Sequence, residues 1–184
     1  LELSHRFNRF GISARDKVAI LSGNMPNWTV AMFSCVPFGR VTVPILPDSS
    51  ASEVTNILNH SECKAIFVSK KQLGKLSQEV IDKLTLVIDI ETFELIKKDD
   101  KAFTCEGHGV DPQADDLASI IYTSGTSGKA KGVMLSHRNF CQNVIAAYHA
   151  QKAGKRDRWL SILPMSHTYE MAFSVLYPLY VGGC

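Results

Sequence analysis

The stretch Leu117–Leu135, LASIIYTSGTSGKAKGVML, is apolar at both ends and almost free of bulk in the middle. Leu117–Tyr122 (LASIIY) and Gly132–Leu135 (GVML) each predict a short strand. Between and overlapping them, Tyr122–Val133 holds three glycines, four Ser/Thr hydroxyls and two lysines, with no carboxylate. Glycine lets a backbone turn tightly and bring its N–H groups close to a ligand. Hydroxyls and lysines add donors and positive charge, so this loop is built for phosphate oxygens. It is not the G-x-x-x-x-G-K-[ST] phosphate loop: Ala130 follows Gly128–Lys129, and Thr123 stands five positions before Gly128. That motif also opens a helix, whereas here a second strand follows.

Charge extends the anion-seeking character outward. No acidic residue lies between Asp116 and Asp157, while Lys129, Lys131, Arg138, Lys152, Lys155 and Arg156 do. In a chain of net charge +2 this one-signed stretch attracts anions locally. Arg138, at the start of the next expected helix, is a further candidate for that field. The 184 residues, 45% of them hydrophobic, suffice for one sizeable core. Cys35, Cys63, Cys105, Cys141 and Cys184 are odd in number and widely spaced, without a C-x-x-C pair. They predict reduced thiols and a cytoplasmic setting. No apolar run approaches the roughly 18 residues of a membrane span.

Short apolar strands alternate with helices before the loop. Leu1, Leu3, Phe7 and Phe10 form a helical stripe closed by Gly11. Strands follow at Lys17–Leu21, Val41–Ile45, Ala65–Ser69 and Leu84–Ile90. Helices are expected over Asn24–Gly39, with Pro37 disturbing the last turn, from a Ser50/Glu53 capping box onward, and over Lys71–Lys83. This alternation predicts an α/β fold, a mainly parallel sheet covered by helices. Residues 1–96 form a first α/β subdomain, 97–116 a charged connection, and 117–184 a second portion carrying the glycine loop. In that portion Ser136 caps a helix from His137 to about Ala150 with Val144, Ile145 and Tyr148 inward. A strand over Trp159–Leu163 and a helix from Thr168 to about Tyr180 complete the pattern.

Leu163–Glu170, LPMSHTYE, is the second chemical stretch. His167 falls between a strand end and a helix start, where α/β proteins bind ligands. His167 and Glu170 are spaced i, i+3, but no third metal ligand accompanies them. His5, His60, His108 and His149 have no constellation around them.

YTSGTSGKAKGV and LPMSHTYE together resemble the acyl-adenylate-forming enzymes, which include acyl-CoA synthetases, aryl-CoA ligases, luciferases and peptide-synthetase adenylation domains. Lys131 falls on that family's basic position, and Ala130 stands where proline is usual. The resemblance covers nearly the whole chain and implies part of the large N-terminal domain of the acyl-adenylate-forming fold. It implies that Thr123, Ser124, Gly125, Thr126, Ser127, Gly128 and Lys131 hold the ATP phosphates, with Thr126 near magnesium through Mg-ATP. It implies that His167 is catalytic, positioning a substrate carboxylate, and that His167, Thr168 and Tyr169 line the acyl pocket. Glu170 closing LPMSHTYE looks most like the long-chain fatty acid–CoA ligases. The implied function is ATP-dependent activation of a fatty acid to acyl-AMP and then acyl-CoA, with ATP, Mg2+ and CoA required. The partners implied are small molecules, with peripheral membrane contact for a lipid substrate and no nucleic acid. The family's downstream motifs for magnesium, ribose and its C-terminal lysine are not in this sequence, which predicts a fragment inactive by itself. Two alternatives stay open. One is a fragment of an aryl-CoA ligase or amino-acid adenylation domain, and the other a non-catalytic nucleotide- or partner-binding protein.

Overall fold

The computed structural model describes residues 2–98, 110–123 and 131–183. An opening helix α1 (Glu2–Arg9) precedes β1 (Lys17–Leu21), α2 (Pro26–Phe33), β2 (Val41–Ile45), α3 (Ala51–Ser61) and β3 (Cys63–Val68). Next come α4 (Lys70–Leu73), α5 (Gln78–Lys83), β4 (Leu86–Asp89), β5 (Leu95–Lys98), β6 (Leu117–Thr123), β7 (Lys131–Ser136) and α6 (His137–Ala150). The described strands form one sheet in the order β5-β4-β3-β1-β2-β6-β7. The inner pairs β3–β4, β1–β3, β1–β2 and β2–β6 are parallel. The outer pairs β4–β5 and β6–β7 are antiparallel. The fold is therefore α/β with a mixed, mainly parallel sheet flanked by helices.

Alternation along β1 decides which side chain serves which layer. Val18 and Ile20 join one cluster, with Phe7 of α1 and Trp28, Ala31 and Met32 of α2. Ala19 and Leu21 join the other, with Val54, Ile57 and Leu58 of α3 and Val80 of α5. In β3, Ala65 and Phe67 face the first cluster and Ile66 and Val68 the second. Period-two alternation with both faces buried requires apolar residues at every position, which is why these strands read as unbroken hydrophobic runs.

Local chemistry sets the boundaries. Gly11 takes φ 71 after α1, in the left-handed region that a Cβ would strain. Ser50 and Glu53 form a reciprocal capping box on α3. Pro37 sits in a 3-10 turn, Val36–Phe38, so the expected Asn24–Gly39 helix is α only over Pro26–Phe33. The expected helix Lys71–Lys83 is two helices, because the chain leaves α4 at Gly74 and restarts under a Ser77 cap. Ser136 caps α6 as expected, but the buried face is Phe140, Val144 and Ala147, and Ile145 is exposed.

Two differences concern the C-terminal third. Trp159–Leu163 is not a strand. Leu160 and Ile162 are 79% and 75% exposed, and the Ile162 N–H donates to Glu170 Oε1 at 3.0 Å instead of to a sheet neighbour. The helical run from Thr168 is α over Thr168–Glu170 (α7), π over Met171–Leu176, and α again over Tyr177–Val181 (α8). Among the described residues no helix is long and apolar enough to cross a membrane.

Candidate active site

Parallel strands share an edge, and the C-terminal ends of β1, β2 and β6 all open on one side of the sheet. β6 ends there in Thr123 and β7 begins there in Lys131, so these two residues face each other across the antiparallel ladder. Both are exposed. Of the expected phosphate-binding set, Ser124, Gly125, Thr126, Ser127 and Gly128 lie outside the described residues. One rung inward Tyr122 pairs with Gly132. The Tyr122 ring covers that glycine: a Cβ there would meet Tyr122 Cζ at 3.3 Å and Ile120 Cγ2 at 2.8 Å. Tyr122 Oη shares a 2.6 Å hydrogen bond with His60 Nδ1, and the two rings meet edge to face at 5.7 Å. Burial raises the Tyr122 phenol above its ordinary value. The mouth of the glycine loop is thus pinned to α3 through a histidine that sequence pattern left unassigned.

His167 stands at the start of α7, exposed. Its Nδ1 accepts the Tyr169 backbone N–H at 3.3 Å, and the His167 backbone N–H donates to Pro164 O at 2.8 Å. With Nδ1 engaged as acceptor, the neutral ring carries its proton on Nε2. Tyr169 stacks on Phe173 with ring centroids 4.6 Å apart. Tyr169, Phe173, Tyr177, Trp159 and Ala147 line an open cleft of about 900 Å³ between α6 and the Thr168–Val181 run. His167 and Thr168 are not among its lining residues. Ser166, beside His167, is 2% exposed and its Oγ has no hydrogen-bond partner in the structure. The turn before His167 is held from β1: Asn24, three residues past the strand, bonds Ser161, Leu163 and Met165. Thr123, Lys131 and this turn therefore belong to the same edge, where β1 and β6 stand two strand spacings, about 10 Å, apart.

Arg138 does not join that field as a free charge. Its Nε and one Nη hold Asp115 in a fork at 2.7 and 2.9 Å, which keeps the Asp115 carboxyl below its ordinary range. Burial lowers the neighbouring His137. Cys35 and Cys63 are buried and pushed up to about 12, so neither is a nucleophile at neutral pH, and Cys141 is exposed. Among the described residues no cluster of three His, Cys, Asp or Glu is placed to hold a metal.

The AMP-binding enzyme family model matches residues 1–184. The chain belongs to that family. It is 30% identical to long-chain-fatty-acid–CoA ligase 1 of Cavia porcellus over 88% of this chain and 27% of that protein. It is 28% identical to the medium-chain fatty-acid–CoA ligase of Escherichia coli K12, over 94% of this chain and 33% of that protein. The inhibitor-bound N-terminal domain of FACL13 from Mycobacterium tuberculosis superposes with a TM-score of 0.76 at 25% identity, over 98% of this chain and 47% of that one. ATP-bound MatB from Rhodopseudomonas palustris, 23% identical over 98% of this chain and 36% of that one, shares the fold with a TM-score of 0.81. The chain spans about a quarter to a third of the length of these curated relatives. Among AMP-binding enzymes it thus corresponds to part of the N-terminal domain.

Proposed function

We propose that this chain is the phosphate- and carboxylate-handling part of an acyl-CoA ligase whose substrate is a fatty acid. Residues 1–96 and 117–184 form its two portions, joined through 97–116. In the complete enzyme a carboxylate oxygen attacks the α-phosphorus of ATP, forming the acyl–phosphate bond as the bond to the β-phosphate oxygen breaks and pyrophosphate leaves. The CoA thiol then attacks the acyl carbonyl carbon, its proton passing to solvent, and AMP leaves. Thr123 and Lys131, with Ser124, Gly125, Thr126, Ser127 and Gly128, hold the phosphates, and Lys131 offsets charge on the departing pyrophosphate. Thr126 would hold magnesium through the nucleotide, and the metal would supply further charge neutralisation. His167 orients the carboxylate with Nε2–H, and Thr168 and Tyr169 border the acyl chain.

The observation that carries this reading is the shared edge: a Thr123/Lys131 pair at the mouth of a glycine loop, and a histidine turn tied to the end of β1, two strands from β6. The curated relatives named for fatty-acid–CoA ligation support the substrate class. Pyrophosphate release by the complete enzyme, measured across medium-chain, long-chain and cinnamate-type acids, tests it. Lys131→Met is expected to lower kcat, and His167→Ala to lower kcat/KM for the acid, each by about 100-fold, the range for loss of one charge-stabilising group. Residues 1–184 alone are expected to release none above background. A preference for the aromatic acids would replace the fatty acid with an aryl substrate. No acid-dependent release with any of them would sink the ligase reading.

A further inference from the structure

We infer that Asn24 is a positioning residue for His167: its side chain, at the end of the central strand, fixes the turn that delivers the imidazole. This rests on the reading of His167 as the group that orients the carboxylate.

The segment 159–165 pairs with no described strand. Trp159 packs edge to face on Tyr177 and Met165 packs on the first cluster, but between these two ends Leu160 and Ile162 are 79% and 75% exposed, so the middle of the segment has no apolar anchor. Its backbone groups are taken up by side chains. Asn24 Nδ2 donates to Ser161 Oγ at 2.9 Å and to Leu163 O at 2.7 Å, while Asn24 Oδ1 accepts the Met165 N–H at 2.8 Å. Both amide protons and the carbonyl of one side chain are therefore spent on a single five-residue segment. Glu170, 3% exposed, takes the Ile162 N–H from the other side. From Met165 the path to the imidazole is short: His167 N–H bonds Pro164 O, and Tyr169 N–H bonds His167 Nδ1. Asparagine is the side chain that can give two hydrogen bonds and accept one at this point. Aspartate offers no donor, and its charge would face the Leu163 carbonyl.

The structure supplies its own control. Asn27, three residues on, donates in the same way to Ile90 O and Glu91 O at 2.8 and 2.9 Å, but on the β4 side and away from the histidine turn. Asn27→Ala removes comparable hydrogen bonds without touching the path to His167.

Two measurements test the inference. Ring-nitrogen NMR of His167 in residues 1–184, at a pH where the ring is neutral, is expected to show the Nε2–H tautomer. Asn24→Ala should move both ring nitrogens toward the average of the two tautomers, and Asn27→Ala should leave them unchanged. In the complete enzyme, Asn24→Ala and Asn24→Asp should each raise KM for the carboxylic acid by about tenfold, or about 1.4 kcal/mol. KM for ATP should stay within about twofold, because the Thr123/Lys131 mouth is held separately. Full activity in Asn24→Asp, unchanged ring nitrogens in Asn24→Ala, or an equal rise in KM with Asn27→Ala would each overturn the positioning role. A wild-type enzyme with no acid-dependent pyrophosphate release would overturn the ligase reading instead. The ring-nitrogen shift would still support the tether from Asn24 to His167.

Discussion

Replacing Gly132 by alanine should loosen the mouth of the glycine loop. Gly132 has no positive φ, so the backbone accepts alanine, and the cost comes from contact alone. The new Cβ would stand 2.8 Å from Ile120 Cγ2, a separation real Cβ atoms essentially never show. Cγ2 belongs to a β-branched side chain that moves only by turning χ1, and Ile120 packs against the Leu21–Val43–Val54 cluster. Overpacking of this kind costs about 1–3 kcal/mol. Displacing the Tyr122 ring also strains its bond to His60, which contributes about 0.5–1.5 kcal/mol. Alanine returns about 0.4–1 kcal/mol through the unfolded chain. The net is a loss of about 2 kcal/mol, which for a chain of this size lowers Tm by about 4–8 °C. Urea denaturation followed by circular dichroism reads it directly. Adding Ile120→Ala should relieve the clash, so the double variant should lose less than the sum of the singles by about 1 kcal/mol. An unchanged or raised midpoint in Gly132→Ala, or strict additivity with Ile120→Ala, would refute the steric argument.

Two further outcomes follow from buried groups. Arg40, 2% exposed, donates to Ile12 O, Ser4 Oγ, Ser4 O and Asn8, and its guanidinium lies 5.1 Å from the Phe7 ring centre. Arg40→Met strips donors from several buried acceptors and should cost about 3 kcal/mol in denaturant unfolding, whereas Arg9→Met on the exposed side of α1 should cost little. Cys35 and Cys63 are raised from 9.0 to about 12 by burial, so their folded forms keep a proton that the unfolded chain gives up. Stability is therefore whole below the ordinary thiol value and falls as pH rises from 9 toward 12, by up to about 1.4 kcal/mol per pH unit for each thiol. Cys35→Ala and Cys63→Ala should flatten that decline, and an unaltered slope would contradict the assignment. At pH 8, alkylation should reach Cys141 well before either of them.

The inner strands were legible because both their faces are buried, whereas β7, with no buried position, was legible only as the apolar run GVML after the glycine loop. Val18–Leu21 and Ala65–Val68 have no polar position to confuse them with a helix or a loop. β5 escaped because only Leu95 and Lys97 are even half-buried in LIKK, so an edge strand reads as charged surface. Trp159–Leu163 misled for the opposite reason. Its apolar residues match a strand pattern, yet Asn24 and Glu170 satisfy its backbone, and side-chain partners 139 and 8 residues away leave no periodic signal. The histidine turn and the two ends of the glycine loop could be found from local chemistry. His60 could not, since its contact with Tyr122 depends on how α3 lies beside β6, which no local window contains.

The central strand is made before both of its neighbours. β1 is flanked by β2 and β3, and all three emerge from the ribosome in sequence order. At synthesis rates of about 5–20 residues per second, β1 waits on the order of seconds for each neighbour. During that interval Val18–Leu21 is an unpaired apolar strand with two open edges. β6 reaches its place against β2 later still, after residues 46–116 have passed. The edge that gathers Asn24, Thr123 and Lys131 is thus completed well after β1 is made, and a chaperone that recognises short extended apolar segments has prolonged access to a strand, Val18–Leu21, that ends up fully enclosed.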